Sequence, residues 1–276
     1  MYKNLHNPVL IKEIVNNLNI RKKLTYVDAT FGFGGYTRNI LEQADCRVIS
    51  LDRDPDVKCF AKEFKKTYKD RFEFILTKFS NIKSAIEKKG IKIISGGLVA
   101  DLGMSTMQVE NVLRGFSFLR DGPLDMRMSK TGISAKDIIN SYGRDELSKI
   151  FWMYGEEKKS RQLASKIVNV RKIKTISTTF ELIEIINKIV KKSTKERIHP
   201  ATRVFQALRI YVNNELKELE QLIKNAKNIL SPGARLAIVS FHSLEDRIVK
   251  ISFNELTGKN SNNNRHLPFF NHRKNV

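Results

Sequence analysis

Between residues 24 and 101, four short apolar runs alternate with three stretches of helical periodicity, and this alternation restricts the fold more than any other feature of the 276-residue chain. Residues 24–28 form an apolar run that ends in a glycine-rich turn, and 36–43 read as a helix. A second strand is expected over 47–52. Pro55 then stands where a helix begins, and helical periodicity continues to residue 68. A third strand follows over 72–76, a helix over 82–89 and a fourth strand over 93–101. Strands joined through helices imply right-handed crossovers, hence a parallel sheet covered on both faces. The expected fold class is α/β.

The pattern stops there. From 108 to about 198 no strand signal occurs, and 134–141, 144–153, 156–170 and 178–190 read as helices. A long helix over 201–230, ended by Ser231-Pro-Gly233, leads back to a strand over 235–241 and a last helix over 243–256. The expected organisation is a discontinuous sheet domain, 1–107 and 199–276, split by a helical insertion over 108–198.

Composition narrows the function classes. Fifty Lys+Arg against 29 Asp+Glu give a net charge of +21, which suits a polyanionic partner, most often nucleic acid. Lysine outnumbers arginine 32 to 18 and is spread along the chain, so compositional bias is a rival source of that charge. No apolar run approaches the roughly 18 residues of a membrane span. Residues 1–10 carry no signal-peptide core. Two cysteines, Cys46 and Cys59, make no disulfide framework, and no Cys/His cluster has zinc spacing. A cytoplasmic protein with no metal and no membrane partner is expected.

The sharpest local feature is Asp28-Ala-Thr-Phe-Gly32-Phe-Gly34-Gly35-Tyr36, which leaves a strand and enters a helix. Glycines there let the backbone approach a ligand, and a helix N-terminus offers N–H groups. A dinucleotide fingerprint requires glycine at 37, where Thr37 stands, so a pyrophosphate-binding loop is disfavoured. Asp52 ends the second strand, where a carboxylate typically accepts the hydroxyls of an adenosine ribose. Asp28, Asp52 and Asp101 all stand at carboxyl ends of strands and should meet on one edge of the sheet.

Ten stretches together carry a resemblance. They are His6-Asn-Pro-Val-Leu10, the loop from Asp28 to Tyr36, Asp52-Arg-Asp-Pro55, Asp101-Leu-Gly103-Met-Ser105, Arg114-Gly-Phe116-Ser-Phe118, Gly122-Pro-Leu-Asp125-Met-Arg127-Met128, Tyr154-Gly-Glu-Glu157, His199-Pro-Ala-Thr-Arg203, Phe205-Gln-Ala-Leu-Arg209 and Ser240-Phe-His-Ser-Leu-Glu-Asp-Arg247. The sequence resembles the bacterial 16S ribosomal RNA cytosine-N4-methyltransferases over roughly residues 6–258. That resemblance implies a class I, Rossmann-like methyltransferase sheet with an inserted helical substrate domain, S-adenosyl-L-methionine as cofactor, and 16S rRNA or the small ribosomal subunit as partner. It implies that Gly34, Gly35 and Tyr36 line the methionine moiety, that Asp52 holds the ribose, that Phe79 sits beside the adenine, and that Asp101 and Gln108 complete the pocket.

Methyl transfer to an exocyclic amine requires acceptors for the amine N–H groups as charge develops, a catalytic role that suits Asp101. Amino-methyltransferases usually carry an aromatic after this acid to stack on the base, and Asp101-Leu-Gly103-Met does not. Phe116 and Phe118 are candidate replacements, with core packing as the alternative. Arg114, Arg127, Arg203 and Arg209 are candidate phosphate contacts. His199 and His242 read as structural. Carbon-5 methylation would need a nucleophilic cysteine, which neither Cys46 nor Cys59 is placed to supply. The family's closing strands and its Arg-rich terminal stretch have no counterpart in the last residues here. A truncated, less stable chain with an exposed fifth strand is therefore an expectation. The rival readings are a non-catalytic RNA-binding remnant and an amino-methyltransferase of another nucleic acid.

Overall fold

The computed structural model describes residues 8–190 and 199–258. Residues 259–276, on which the expectation of missing C-terminal strands falls, lie outside the described residues. The described chain forms two compact units, Met1–Gly103 with Leu216–Val276, and Met104–Glu215. No helix among the described residues is long and apolar enough to cross a membrane.

The first unit is built on five parallel strands: β1 (Thr25–Asp28), β2 (Arg47–Asp52), β3 (Phe72–Leu76), β4 (Gly97–Asp101) and β5 (Arg235–Val239). Their order is β3-β2-β1-β4-β5. The chain steps outward from β1 to β3, then returns to the other side of β1, so the topological switch lies between β1 and β4. Strands covered on both faces are buried along most of their length, and β2 and β4 are buried at every position except Arg47 and the closing aspartates. Helices α1 (Ile11–Leu18), α2 (Gly35–Gln43), α3 (Lys58–Tyr68) and α4 (Ile82–Glu87) fall in the same part of the chain. Beside β2 and β3, Phe31, Phe64 and Phe72 meet with ring centroids 5.2 to 5.6 Å apart. A separate apolar cluster joins Ile49, Leu51, Leu98 and Ala100 of the strands to Ile82 and Ile86 of α4, and to Leu219, Leu222 and Ile223. Among the described residues β5 pairs on one side only, with β4.

The fourth strand starts later than expected. Ile94 makes a single bridge to Leu230, and β4 begins at Gly97. A side chain at Gly97 would meet the Arg235 carbonyl oxygen at 2.7 Å, so only glycine admits the neighbouring strand there.

The second unit holds α5 (Thr106–Glu110), α6 (Ala135–Ser141), α7 (Arg144–Gly155), α8 (Ser160–Arg171), α9 (Thr179–Ile189) and α10 (Pro200–Asn213). Ser134 with Asp137, and Thr178 with Glu181, form capping boxes that start α6 and α9. Leu147, Phe151, Leu163, Ile167, Leu182, Ile186, Val204 and Leu208 fill one core. The helix expected from 156 starts at Ser160 instead, because Glu156 takes a left-handed conformation (φ 51°) that ends α7.

The sequence expectation of one helix over 201–230 is corrected. Asn214 turns left-handed (φ 56°) and separates α10 from α11 (Glu215–Ile229). Just before the break, the buried Asn213 amide donates to the carbonyls of Met126 and Arg209, while its oxygen accepts the Met128 N–H. Tertiary bonds of this kind leave no periodic trace. They also move the unit boundary: α10 packs in the core of the helical unit, which closes at Glu215 rather than at residue 198. Asn213→Ala is expected to strip partners from two buried backbone groups and to cost about 2–4 kcal/mol, read as a lower midpoint in denaturant titration.

Candidate functional site

Parallel strands put the carboxyl ends of β1, β2 and β4 on one edge, and each ends in aspartate. Asp28 is fully buried. One carboxylate oxygen accepts the Thr30 N–H at 3.1 Å; the other accepts the Thr37 N–H at 3.2 Å and the Thr37 hydroxyl at 2.7 Å. Since Thr37 gives its proton to Asp28, the Ser50 hydroxyl, 2.7 Å away, donates to Thr37. Loss of solvent still outweighs these donors and pushes the Asp28 carboxyl up to about 6.

The loop after β1 is pinned to both flanking strands, with Ala29 N–H donating to Val99 and Phe31 N–H to Leu51. The Thr30 hydroxyl accepts the Asp101 N–H at 2.8 Å, which ties the loop to the end of β4. Sequence reasoning used Thr37 only to argue against a dinucleotide loop and gave Thr30 no role. The signal for both was their place beside a strand-end acid that must be satisfied once buried.

Asp52 is oriented by two backbone donors: Gly32 N–H at 2.8 Å on one oxygen and Asp54 N–H at 2.9 Å on the other. Burial pushes its carboxyl up to about 6 as well. Gly32 is left-handed (φ 52°), and a side chain there would meet nothing within 4 Å, so the loop borders open space beside Asp52. Gly34 is also left-handed (φ 78°) and lies against the rings of Phe31 and Phe64. Gly35 is packed under Pro8, and the buried Tyr36 donates its hydroxyl to the Val9 carbonyl. The Tyr36 side chain is therefore engaged with residues 8–9; burial and the nearby Asp101 and Asp28 push its hydroxyl well above the usual phenol range. At this position only the backbone can face a ligand. No side chain caps the start of α2, which leaves that end to a ligand's negative charge. Phe79 follows β3 in the short turn Phe79–Asn81, half-buried against the core.

These residues lie together on the sheet unit and fit a nucleoside cofactor, with an oriented strand-end carboxylate, open space beside a glycine loop, an uncapped helix start and a half-buried aromatic. The remaining candidates belong to the helical unit. Gln108 is buried and completes the capping box of α5, its side-chain oxygen accepting the Ser105 N–H at 3.0 Å.

Three of the four arginines are corrected. Arg114 is 5% exposed and donates to the carbonyls of Arg127 and Met128, so it closes a loop instead of offering charge to phosphate. Arg127 is chelated by Asp125, with its closest contact at 2.6 Å. Arg209 makes a two-pronged pair with Glu215, both bonds 2.9 Å, with 11% of its side chain exposed. Arg203 is half-buried on α10. Phe116 is buried in the helical core, and Phe118 packs between the rings of His199 and Phe205 at 5.2 and 5.1 Å, so both take the packing alternative. His199 and His242 are structural as expected, capping α10 and α12 (Ser243–Leu256) through Nδ1.

Residues 3–275 match the family model described as the MraW methylase family. The chain belongs to that family. Three relatives are each named ribosomal RNA small subunit methyltransferase H. The one from Rickettsia bellii (strain OSU 85-389) is 49% identical over 92% of this chain and 82% of its own length. The one from Wolbachia sp. subsp. Drosophila simulans (strain wRi) is 49% identical over 91% of this chain and 85% of its own. The one from Ehrlichia canis (strain Jake) is 46% identical over the same shares, 91% and 85%.

The brace under the loop is testable. Thr37→Val keeps the shape of the side chain but removes the hydroxyl, leaving the buried Asp28 carboxylate short of a donor. A loss of about 1–3 kcal/mol is expected at pH 7.5. Because the folded carboxyl titrates near 6, above its unfolded value, its charged form opposes folding, a penalty that grows above the unfolded value and is complete above about 6. At pH 5 the protonated group needs fewer donors, so the difference between variant and parent should shrink, as compared by thermal melts at the two pH values.

Proposed function

We propose that the chain transfers the methyl group of S-adenosyl-L-methionine to the exocyclic N4 amine of a cytosine in the decoding region of 16S ribosomal RNA. The observation that carries this reading is the family match over residues 3–275, joined by relatives at 46–49% identity that are named for the small-subunit ribosomal RNA. The intact glycine loop and strand-end acids argue against the rival of a binding-only remnant.

In this reading Asp52 accepts both ribose hydroxyls, for which its two oxygens are held in place by Gly32 and Asp54. The start of α2 at Gly35 and Tyr36 receives the methionine carboxylate through backbone N–H groups, while the Gly34 N–H shapes the loop by donating to the Phe31 carbonyl. Phe79 lies along the adenine. When bound, the cofactor's sulfonium supplies an electrophilic methyl. Asp101 accepts N–H hydrogens of the target amine, which localises the nitrogen lone pair and steadies the positive charge that grows on it. The Thr30 hydroxyl positions Asp101 by holding its backbone N–H. Gln108 acts by shaping the start of α5, directly after the Asp101 loop. The helical unit is assigned to substrate recognition, with Arg203 on α10 as a phosphate contact.

The decisive experiment supplies labelled S-adenosyl-L-methionine and small ribosomal subunits from a strain lacking this methylation, then maps the labelled nucleotide. Label on the N4 amine of one 16S cytosine is expected. No label supports the binding-only reading, and label on DNA alone supports a different nucleic-acid substrate. Asp52→Ala should weaken cofactor binding by about 10- to 100-fold by calorimetry, the range for loss of charged hydrogen bonds. Asp101→Asn should leave cofactor affinity near the parent value but lower kcat by about 10²–10³-fold.

A further inference from the structure

We propose that Phe241 is the aromatic surface on which the target base stacks during transfer, an inference that rests on the amine-methylation reading above. A base that reacts at its exocyclic amine must leave its own stack, and an aromatic face in the site replaces the lost contact. The Asp101-Leu-Gly103-Met stretch carries no such face. Phe116 and Phe118 are consumed in the helical core.

Phe241 has the required position. In the β4–β5 pairing Asp101 lies opposite Val239, so Phe241 emerges two residues past the partner of the amine-accepting acid, on the same edge of the sheet. The two chains stay joined beyond the strands, since Leu102 N–H donates to the Val239 carbonyl at 3.0 Å. Gly103 then turns left-handed (φ 96°), and a Cβ there would lie 3.7 Å from Phe241 Cδ2, which places the ring alongside this bare backbone. Phe241 nevertheless remains 55% exposed.

Its backbone is held firmly. Phe241 N–H donates at 2.8 Å to an oxygen of Glu245, which is 2% exposed, and Glu245 N–H donates to His242 Nδ1 at 3.4 Å. A large apolar ring thus stands in solvent on a fixed support beside the acid that would hold the amine. A lone exposed phenylalanine is ordinary on a protein surface. One that a buried carboxylate fixes beside a strand-end aspartate, at the carboxyl edge where α/β sheets bind ligands, has a use.

The test compares Phe241→Ala, Phe241→Leu and Phe241→Tyr with the unmodified chain, using small subunits from the strain lacking the methylation. Cofactor affinity and the thermal midpoint are measured in parallel. Alanine and leucine should each lower kcat/KM by about 10- to 100-fold, the range for loss of one stacked base. Tyrosine should stay within about threefold of the parent, and cofactor affinity and melting should not change. Full activity of Phe241→Ala, or recovery by leucine as complete as by tyrosine, overturns the proposal, because bulk alone would then suffice. A fall in cofactor affinity or melting that matches the fall in activity also overturns it. If the unmodified chain transfers no methyl group to any subunit RNA, the functional reading fails, and the role of Phe241 fails with it. Transfer by the parent with an unaffected alanine variant removes Phe241 alone.

Discussion

At the carboxyl end of the central strand, Asp28 keeps a carboxylate out of solvent and satisfies it with Thr30 and Thr37, one residue on each side of the glycine loop. Everything at the site's edge refers to that brace. Thr37 lies in the first turn of α2, Thr30 carries the backbone of Asp101, and Gly32 between them holds Asp52. A buried carboxylate disfavours any loop conformation that fails to supply its donors, since an unsatisfied charge there costs several kcal/mol. Three strand ends are thereby locked into one arrangement before any ligand arrives, which is the condition for binding energy to be directed at the reacting groups.

The same economy of space explains what happens at Gly34 and Gly35. A glycine loop suggests room for a ligand, but two of its positions are filled by the protein itself: Phe31 and Phe64 lie against Gly34, and Pro8 covers Gly35. The opening lies at Gly32. Pro8 and Val9 gain a physical role from this, because the Pro8 ring and the Val9 carbonyl seat Gly35 and Tyr36.

Charge is divided in a way that composition could not show. The net charge of +21 points to a polyanion, yet Arg114, Arg127 and Arg209 spend their guanidinium groups inside the helical unit on carbonyls and carboxylates. Arginine suits such work because its fork satisfies two acceptors at once while remaining charged. Most of the remaining positive charge belongs to other groups, among which lysines are the majority. Aromatic residues show the same division. Phe116 and Phe118, in a motif rich in functional residue types, pack a core, while Phe241, at the end of a stretch read from sequence as strand, stays exposed.

The sequence alone determined the parallel α/β sheet, the helical insertion and the row of strand-end acids. Each depends on local periodicity, on glycine and proline at turns, and on the fact that parallel strands end on one side. It also determined the family, through ten motifs in order. Tertiary structure decided what those signals do not encode. It split the helix expected over 201–230, because Asn213 bonds to backbone more than 80 residues away and Asn214 can turn left-handed. It separated buried arginines and phenylalanines from exposed ones, since burial depends on which faces meet in space. It placed Phe241 beside Gly103, a proximity set by β4–β5 pairing between segments far apart in the chain.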